Sequence, residues 1–193
     1  MPVGFVLSTR AYKNFVEAND LHGTILDIVA DATPHEAASS ERASASIQSV
    51  FEAARLPADI AASVAHAYGS LGEDGPAVAV PSSATADDLP DVSFAGQQDT
   101  YWYVRGEAPL LDAIRKCWAS PWTARAIGYR MQMGVDQRGR TMAVIVQVMV
   151  ARGCVRHPVY SNPSTGDRPE LVVNASLGLG AAIVWGRPSR EQS

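Results

Sequence analysis

The chain has 193 residues, 47% of them hydrophobic and 19% charged, a balance that suits a folded domain with a buried core and not a disordered chain. Its net charge of -4, with no block of basic residues, gives nucleic acid and anionic membranes nothing to grip, so neither is expected as a partner. Two cysteines, Cys117 and Cys154, are too few for a disulfide framework or a metal cluster. No apolar run approaches the roughly 20 residues that span a bilayer, and MPVGFVLSTRAYKNF lacks the basic-then-apolar order of a signal peptide. A cytoplasmic location is the expectation.

In chain order, Tyr12, Phe15 and Val16 predict a short helix over 9–18, capped by Ser8 or Thr9. Ile25, Ile28 and Val29 share one face of a second helix from Thr24 to Ala32. The Ala/Ser-rich stretch 33–46 begins as a loop and turns helical from about Glu41, where Ala45, Ile47, Val50, Phe51 and Ala54 fall into helical spacing. Pro57 opens another helix in its favoured first turn, continuing through Ile60, Val64 and Tyr68. Gly72-Glu73-Asp74-Gly75-Pro76 is a breaker. Beyond it, Ala77–Val80 and Tyr101–Val104 read as strands. Two helices follow within Pro109–Met133, interrupted near Ser120-Pro121. MAVIVQVMV (142–150) is a buried strand by length and β-branching, LVVNAS (171–176) is another, and AAIVW (181–185) is the last apolar run. The fold class is α+β: a helical part followed by a mixed sheet with helices, as two subdomains, 1–75 and 76–193.

The stretch from Ala77 to Thr100, AVAVPSSATADDLPDVSFAGQQDT, carries the most chemistry. An apolar strand gives way to two serines and small residues, then to a Phe-Ala-Gly turn and polar amides. Such a small-residue loop lets backbone N–H groups approach a polyanion such as a triphosphate. Taken alone, Gly96 is equally a simple turn, and Gln147 in VIVQVMV is equally a solvent-facing residue.

As a literal string, this segment resembles the nucleotide-binding domain of phosphoenolpyruvate synthases (pyruvate, water dikinases), a domain type found also in pyruvate phosphate dikinase and rifampin phosphotransferase. The likeness covers most of the chain in family order: PVGFVLSTRAYKNFVEANDL near the start, SFAGQQDTYWYVRGEAPLLDAIRKCWASPWTARAIGYR, then VIVQVMV, SNPSTGD, NASLGLG and the Gly186 turn. The resemblance implies an ATP-grasp-like domain over 1–193, incomplete at both ends, with ATP and Mg²⁺ as cofactors. By that resemblance Gly96 and Thr100 lie over the ATP phosphates, and Ser82 and Ser83 flank the phosphate end. Gln147 and Val148 sit beside the adenine, Val148 offering backbone hydrogen bonds. Glycine permits the close approach, and hydroxyls and N–H groups pair with phosphate oxygens.

The chain also departs from the family. The family strand ends Val-Arg-Ser-Ser; here the arginine is Pro81, which offers neither a cation nor a backbone donor. The family's Gly-Leu-Gly-Glu reads Gly178-Leu179-Gly180-Ala181, without the carboxylate. A Gly-Gly-Lys segment expected before the Pro-Gly-Phe motif, and Ile-Glu-Trp and Gln-Ser-Arg-Pro strands expected after Gly186, have no counterparts. Where the family has Ser-Gly-Val-x-Phe-Thr, this chain has Val155 to Ser161 with Pro158, which is expected to demote that strand to an edge or break it. The charged groups that neutralise a transferring phosphoryl are thus missing and the backbone-type groups remain.

The resemblance implies phosphotransferase chemistry in a full enzyme, ATP, pyruvate and water giving phosphoenolpyruvate, AMP and phosphate. Separate histidine-bearing and pyruvate-binding domains would be its partners, and this chain alone is expected to be silent. A rifampin-type phosphotransferase piece and a non-catalytic docking module are the alternatives. No catalytic or metal-ligating residue is expected in the chain itself. His22, His35, His66 and His157 lack ligand spacing. Cys117 reads as core, and Trp102, Trp118 and Trp122 as core or subdomain packing. Asp87-Asp88 reads as a solvated loop, and Arg115, Lys116, Arg125 and Arg130 as a solvated helix face.

Overall fold

In the computed structural model, which describes residues 3–33, 36–72, 75–84, 88–89, 92–93, 100–149, 154–159 and 172–177, the chain divides after Met149 into units 1–149 and 150–193. The breaker at 72–76 therefore falls inside the first unit. The reason is that β1 (Gly4–Leu7), from the N-terminal part, pairs with a strand formed 140 residues later, β6 (Met142–Val148).

Between these two strands the first unit runs α1 (Thr9–Ala18), α2 (Leu21–Ala30), α3 (Ala37–Ala53), α4 (Ala58–Gly69), β2 (Val78–Ala84), a two-residue ladder of β3 (Asp88–Leu89) and β4 (Val92–Ser93), β5 (Thr100–Val104), α5 (Glu107–Ala119), a 3₁₀ turn (Ser120–Trp122) and α6 (Ala124–Gln132). Helix α1 keeps the expected bounds, with Ser8 at its N-cap. Helix α2 starts three residues early, because Leu21 is buried and Asp20 turns the chain sharply at φ 52°.

Helix α3 begins at Ala37, not near Glu41. Its small serines make the difference: Ser39, Ser40 and Ser44 are buried, and Ser39 Oγ accepts a hydrogen bond from the Thr33 N–H at 2.9 Å. Small side chains also let α3 approach α6, where Ser40 Oγ lies 3.3 Å from the place a Cβ on Gly128 would take. Pro57 occupies the N-cap of α4, one residue before the first helical position.

Strands β1, β6, β2 and β5, in that order, form one antiparallel sheet. Helices α1 and α5 pack on one side of it. Alternate residues Met142, Val144 and Val146 of β6 are fully buried against them, as are Val78 and Val80 of β2. The helix layer carries an aromatic cluster in which the Phe15 and Trp118 rings are 4.9 Å apart and Tyr12 meets Trp118 edge-on at 6.2 Å. No helix among the described residues is long and apolar enough to cross a membrane.

In the second unit β7 (Cys154–Val159) pairs antiparallel with β8 (Val172–Leu177). Pro158 does not break β7; it stands opposite Val173 in a ladder of two strands. Among the described residues β7 pairs on one side alone, and proline is tolerated on a strand's unpaired edge. The run 181–185 and the Gly178–Ala181 and Gly186 positions lie outside the described residues.

The closing pair of the sheet sets a clear test. A Cβ on Gly4 would collide with the Val146 backbone carbonyl, whereas one on Gly23 in α2 meets nothing within 4 Å. Gly4→Ala is expected to lower stability by about 1–3 kcal/mol and Gly23→Ala to raise it by about 0.5 kcal/mol, read from urea unfolding midpoints.

Candidate functional site

Residues opposite each other in an antiparallel pair share a face, and neighbours along a strand take opposite faces. Since Val144 and Val146 mark the helix-covered face, Ala143, Ile145 and Gln147 mark the outer one. Gly4 and Ala79 stand opposite Gln147, and Ser83 stands opposite Ala143. Pro81 lies between Ala79 and Ser83 in the same alternation and pairs with Thr100, and Trp102 follows Thr100 two residues along β5. Three of the six expected binding residues, Ser83, Thr100 and Gln147, therefore gather on the outer face.

Ser82 and Val148 do not join them. Ser82 stands opposite Val144, and Val148 opposite Val78, both on the helix side. The Val148 N–H donates to the Val3 carbonyl at 2.9 Å, and its side chain packs on the core. Gly96 lies outside the described residues, as do Asp87 and the rest of 94–99.

Pro81 leaves a local mark. The β2–β6 pairing runs through Ala79↔Gln147, skips Val80 and Pro81, and resumes in the same register at Ser82↔Val144. A residue without an N–H cannot fill its rung, which is why proline is rare in a strand flanked on both sides. The carbonyl of Val80 instead accepts a hydrogen bond from Cys117 Sγ at 3.4 Å, so the fully buried Cys117 is core as expected.

Sequence reasoning placed Trp102 with Trp118 and Trp122 in the packing. The structure separates them: Trp118 and Trp122 are buried, whereas Trp102 is 43% exposed on the outer face. The signal was present in the alternation of TYWYV, which puts Trp102 beside Thr100. Immediately after it β5 bulges: two residues, Trp102 and Tyr103, face the single Ala79 between Val80↔Tyr101 and Val78↔Val104. Tyr103 adopts φ 57°, unusual for a bulky residue, and its N–H, released from the ladder, meets Met149 Sδ at 3.1 Å.

The strand residues of this outer face are small, aliphatic, aromatic, hydroxyl or amide. None is charged. Such a surface can stack on a flat heteroaromatic ring and hydrogen-bond its substituents, but it supplies no charge to phosphate oxygens.

The expected basic helix face also divides. Arg115 and Lys116 are tied to Asp112, at 3.1 and 2.7 Å, and Arg125 is exposed. The hydrogen bond from Lys116 holds the Asp112 carboxyl below its ordinary value. Arg130 is not solvated: it is 2% exposed, its guanidinium lies over the Trp122 ring at 5.2 Å, and Arg130 Nε donates to Gln137 Oε1 at 2.6 Å. Burial, reinforced by the positive charge of Arg140, pulls its pKa down to about 10. Among the described residues no three His, Cys, Asp or Glu side chains come together as a metal seat.

A single hydroxyl anchors the strands that carry the site. Tyr68 Oη donates to the Pro76 carbonyl, just before β2, and accepts from the Gly106 N–H, just after β5, both at 2.9 Å. Tyr68→Phe leaves that N–H without its acceptor and is expected to cost about 1–2 kcal/mol, measured by urea unfolding. Hydrogen exchange of Gly106 should rise with it.

A family described as pyruvate phosphate dikinase, AMP/ATP-binding domain, matches residues 1–192. Over 97% of the chain it is 38% identical to a phosphoenolpyruvate synthase of Aeropyrum pernix, and over 99% it is 40% identical to a rifampicin phosphotransferase of Bacillus cereus. A probable phosphoenolpyruvate synthase of Methanothermobacter thermautotrophicus is 36% identical over 96% of the chain. The chain spans 23%, 22% and 28% of the lengths of these three relatives. With the family matched over residues 1–192 and relatives 36–40% identical along nearly the whole chain, the chain belongs to the pyruvate phosphate dikinase AMP/ATP-binding domain family.

Proposed function

We propose that the chain is the adenine-nucleotide-binding part of a phosphotransferase of phosphoenolpyruvate synthase type, with the outer face of its sheet as one wall of an ATP-grasp-like site. The observation that carries this reading is the convergence of Gln147, Thr100 and Ser83 on the face that the helices leave uncovered. In it, Gln147 lies towards the adenine, while the hydroxyls of Thr100 and Ser83 lie towards the phosphates, with Gly96 as the further phosphate contact. The carbonyl of Val148 is the backbone group that remains for the base, since its N–H is taken by Val3.

The same face argues that the chain is silent by itself. Phosphoryl transfer needs cations to neutralise charge developing on the phosphoryl oxygens, and Pro81 occupies the strand position where a cation would serve. The phosphate acceptor, pyruvate or an antibiotic hydroxyl, is set by regions beyond this chain, in keeping with relatives several times its length. A histidine-bearing and an acceptor-binding domain are the expected partners.

Isothermal titration with ATP tests this reading. Pro81→Arg returns a cation and a ladder donor to β2 together, and is expected to tighten ATP by about tenfold, equivalent to about 1.4 kcal/mol. The chain alone should show no ATP-dependent phosphorylation of pyruvate. An absence of saturable ATP binding in both forms, or turnover by the isolated chain, would overturn the proposal.

A further inference from the structure

Three buried donors without acceptors meet on the helix side of the sheet. Arg130 Nη2, Arg140 Nε and Gln137 Nε2 are each shielded from solvent, and none has a hydrogen-bond partner. They are not scattered: Gln137 is the residue that accepts from Arg130 Nε, and the charge of Arg140 bears directly on Arg130. Gln137 and Arg140, with Tyr12, Lys13 and Trp122, line one cavity of about 450 Å³ beside α1 and α2. Arg130 backs that wall, stacked on Trp122.

Among the described residues no carboxylate makes an ion pair with Arg130 or Arg140, although Asp136 is near enough to feel the charge of Arg140. Asp136, the nearest in sequence, turns its carboxylate to Arg138, and Arg140 Nη2 reaches only the Asp136 backbone carbonyl, at 2.6 Å. Glu17 lines the cavity too, yet makes no ion pair with either arginine. Burying a guanidinium with unmade hydrogen bonds is costly. Water could accept one of these donors but would leave the buried Arg130 without a counter-charge. An anion supplies both the lone pairs and the charge, and arginine forks suit the oxygens of phosphate, sulfate or carboxylate.

We propose that this cavity is a binding site for a small free oxyanion of the phosphate or sulfate class, held by Arg130, Arg140 and Gln137. It lies on the helix side of the sheet, away from Thr100 and Gln147, so its occupancy is separable from nucleotide binding on the outer face.

The test is a titration of the full chain with inorganic phosphate, at ionic strength held constant with sodium chloride, followed through the arginine side-chain Nε–H resonances. Saturable shifts of the Arg130 and Arg140 signals, with a rise in Tm, are expected. Arg140→Gln should weaken phosphate by about tenfold or more, whereas Arg125→Gln, on an exposed part of α6, should leave it unchanged. Gln137→Glu provides a second arm that does not depend on the first variant folding. A carboxylate built into the site should raise Tm without phosphate and abolish the phosphate response. The absence of any saturable shift, or a response that persists in the Arg140 and Gln137 variants, overturns the proposal.

Discussion

Strand β6 has neighbours on both edges, β1 on one and β2 on the other, and the first unit depends on that double pairing. It brings residues 4–7 together with residues formed 140 positions later, so neither end of the unit can hold its place without the other. The side chains that face the helices, Met142, Val144 and Val146, are all fully buried, and Trp118 and Phe15 form the other half of the same apolar core. Once this face is committed to the core, alternation fixes every residue of the opposite face.

That commitment is what gathers Gln147, Ser83 and Thr100 in one place and turns Ser82 and Val148 away. It also explains the character of the outer face. The outer face keeps a mixture of small, aliphatic, aromatic, hydroxyl and amide residues, and its strand residues include no charge. The result suits the flat, polarisable part of a nucleotide better than its phosphates. Pro81 accentuates this, interrupting the ladder with β6 on that same face. The charged side chain buried in this unit lies instead on the helix side, in Arg130 beside Arg140.

Much of the local structure was legible in the residues. The spacing of Tyr12, Phe15 and Val16 gave α1 its bounds, and the β-branched run of 142–148 gave β6. Other readings failed for an identifiable reason. Serines 39 and 40 look like a loop until they are buried in the packing and a backbone N–H engages Ser39; small polar residues carry no periodic apolar signal even when they are buried. Arg130 looks solvated because its charge is the only property the sequence displays, whereas its burial depends on Trp122 and Gln137 arriving from either side. Trp102 looks like core because tryptophan usually is, and only its place on the alternation of β5 exposes it.

The sequence by itself determined the α+β class, the helices, several of the strands and the family, though not β1, because propensity, periodicity and literal motif are properties of neighbours along the chain. Tertiary structure decided where the first unit ends, which face of the sheet is covered, which candidate residues share a side, and which arginine loses its solvent. Those outcomes depend on partners distant in sequence: the register of β1 and β2 on β6, and the close packing of α3 on α6. A strand's own alternation defines two faces, but only the element that packs against one of them decides which face is buried.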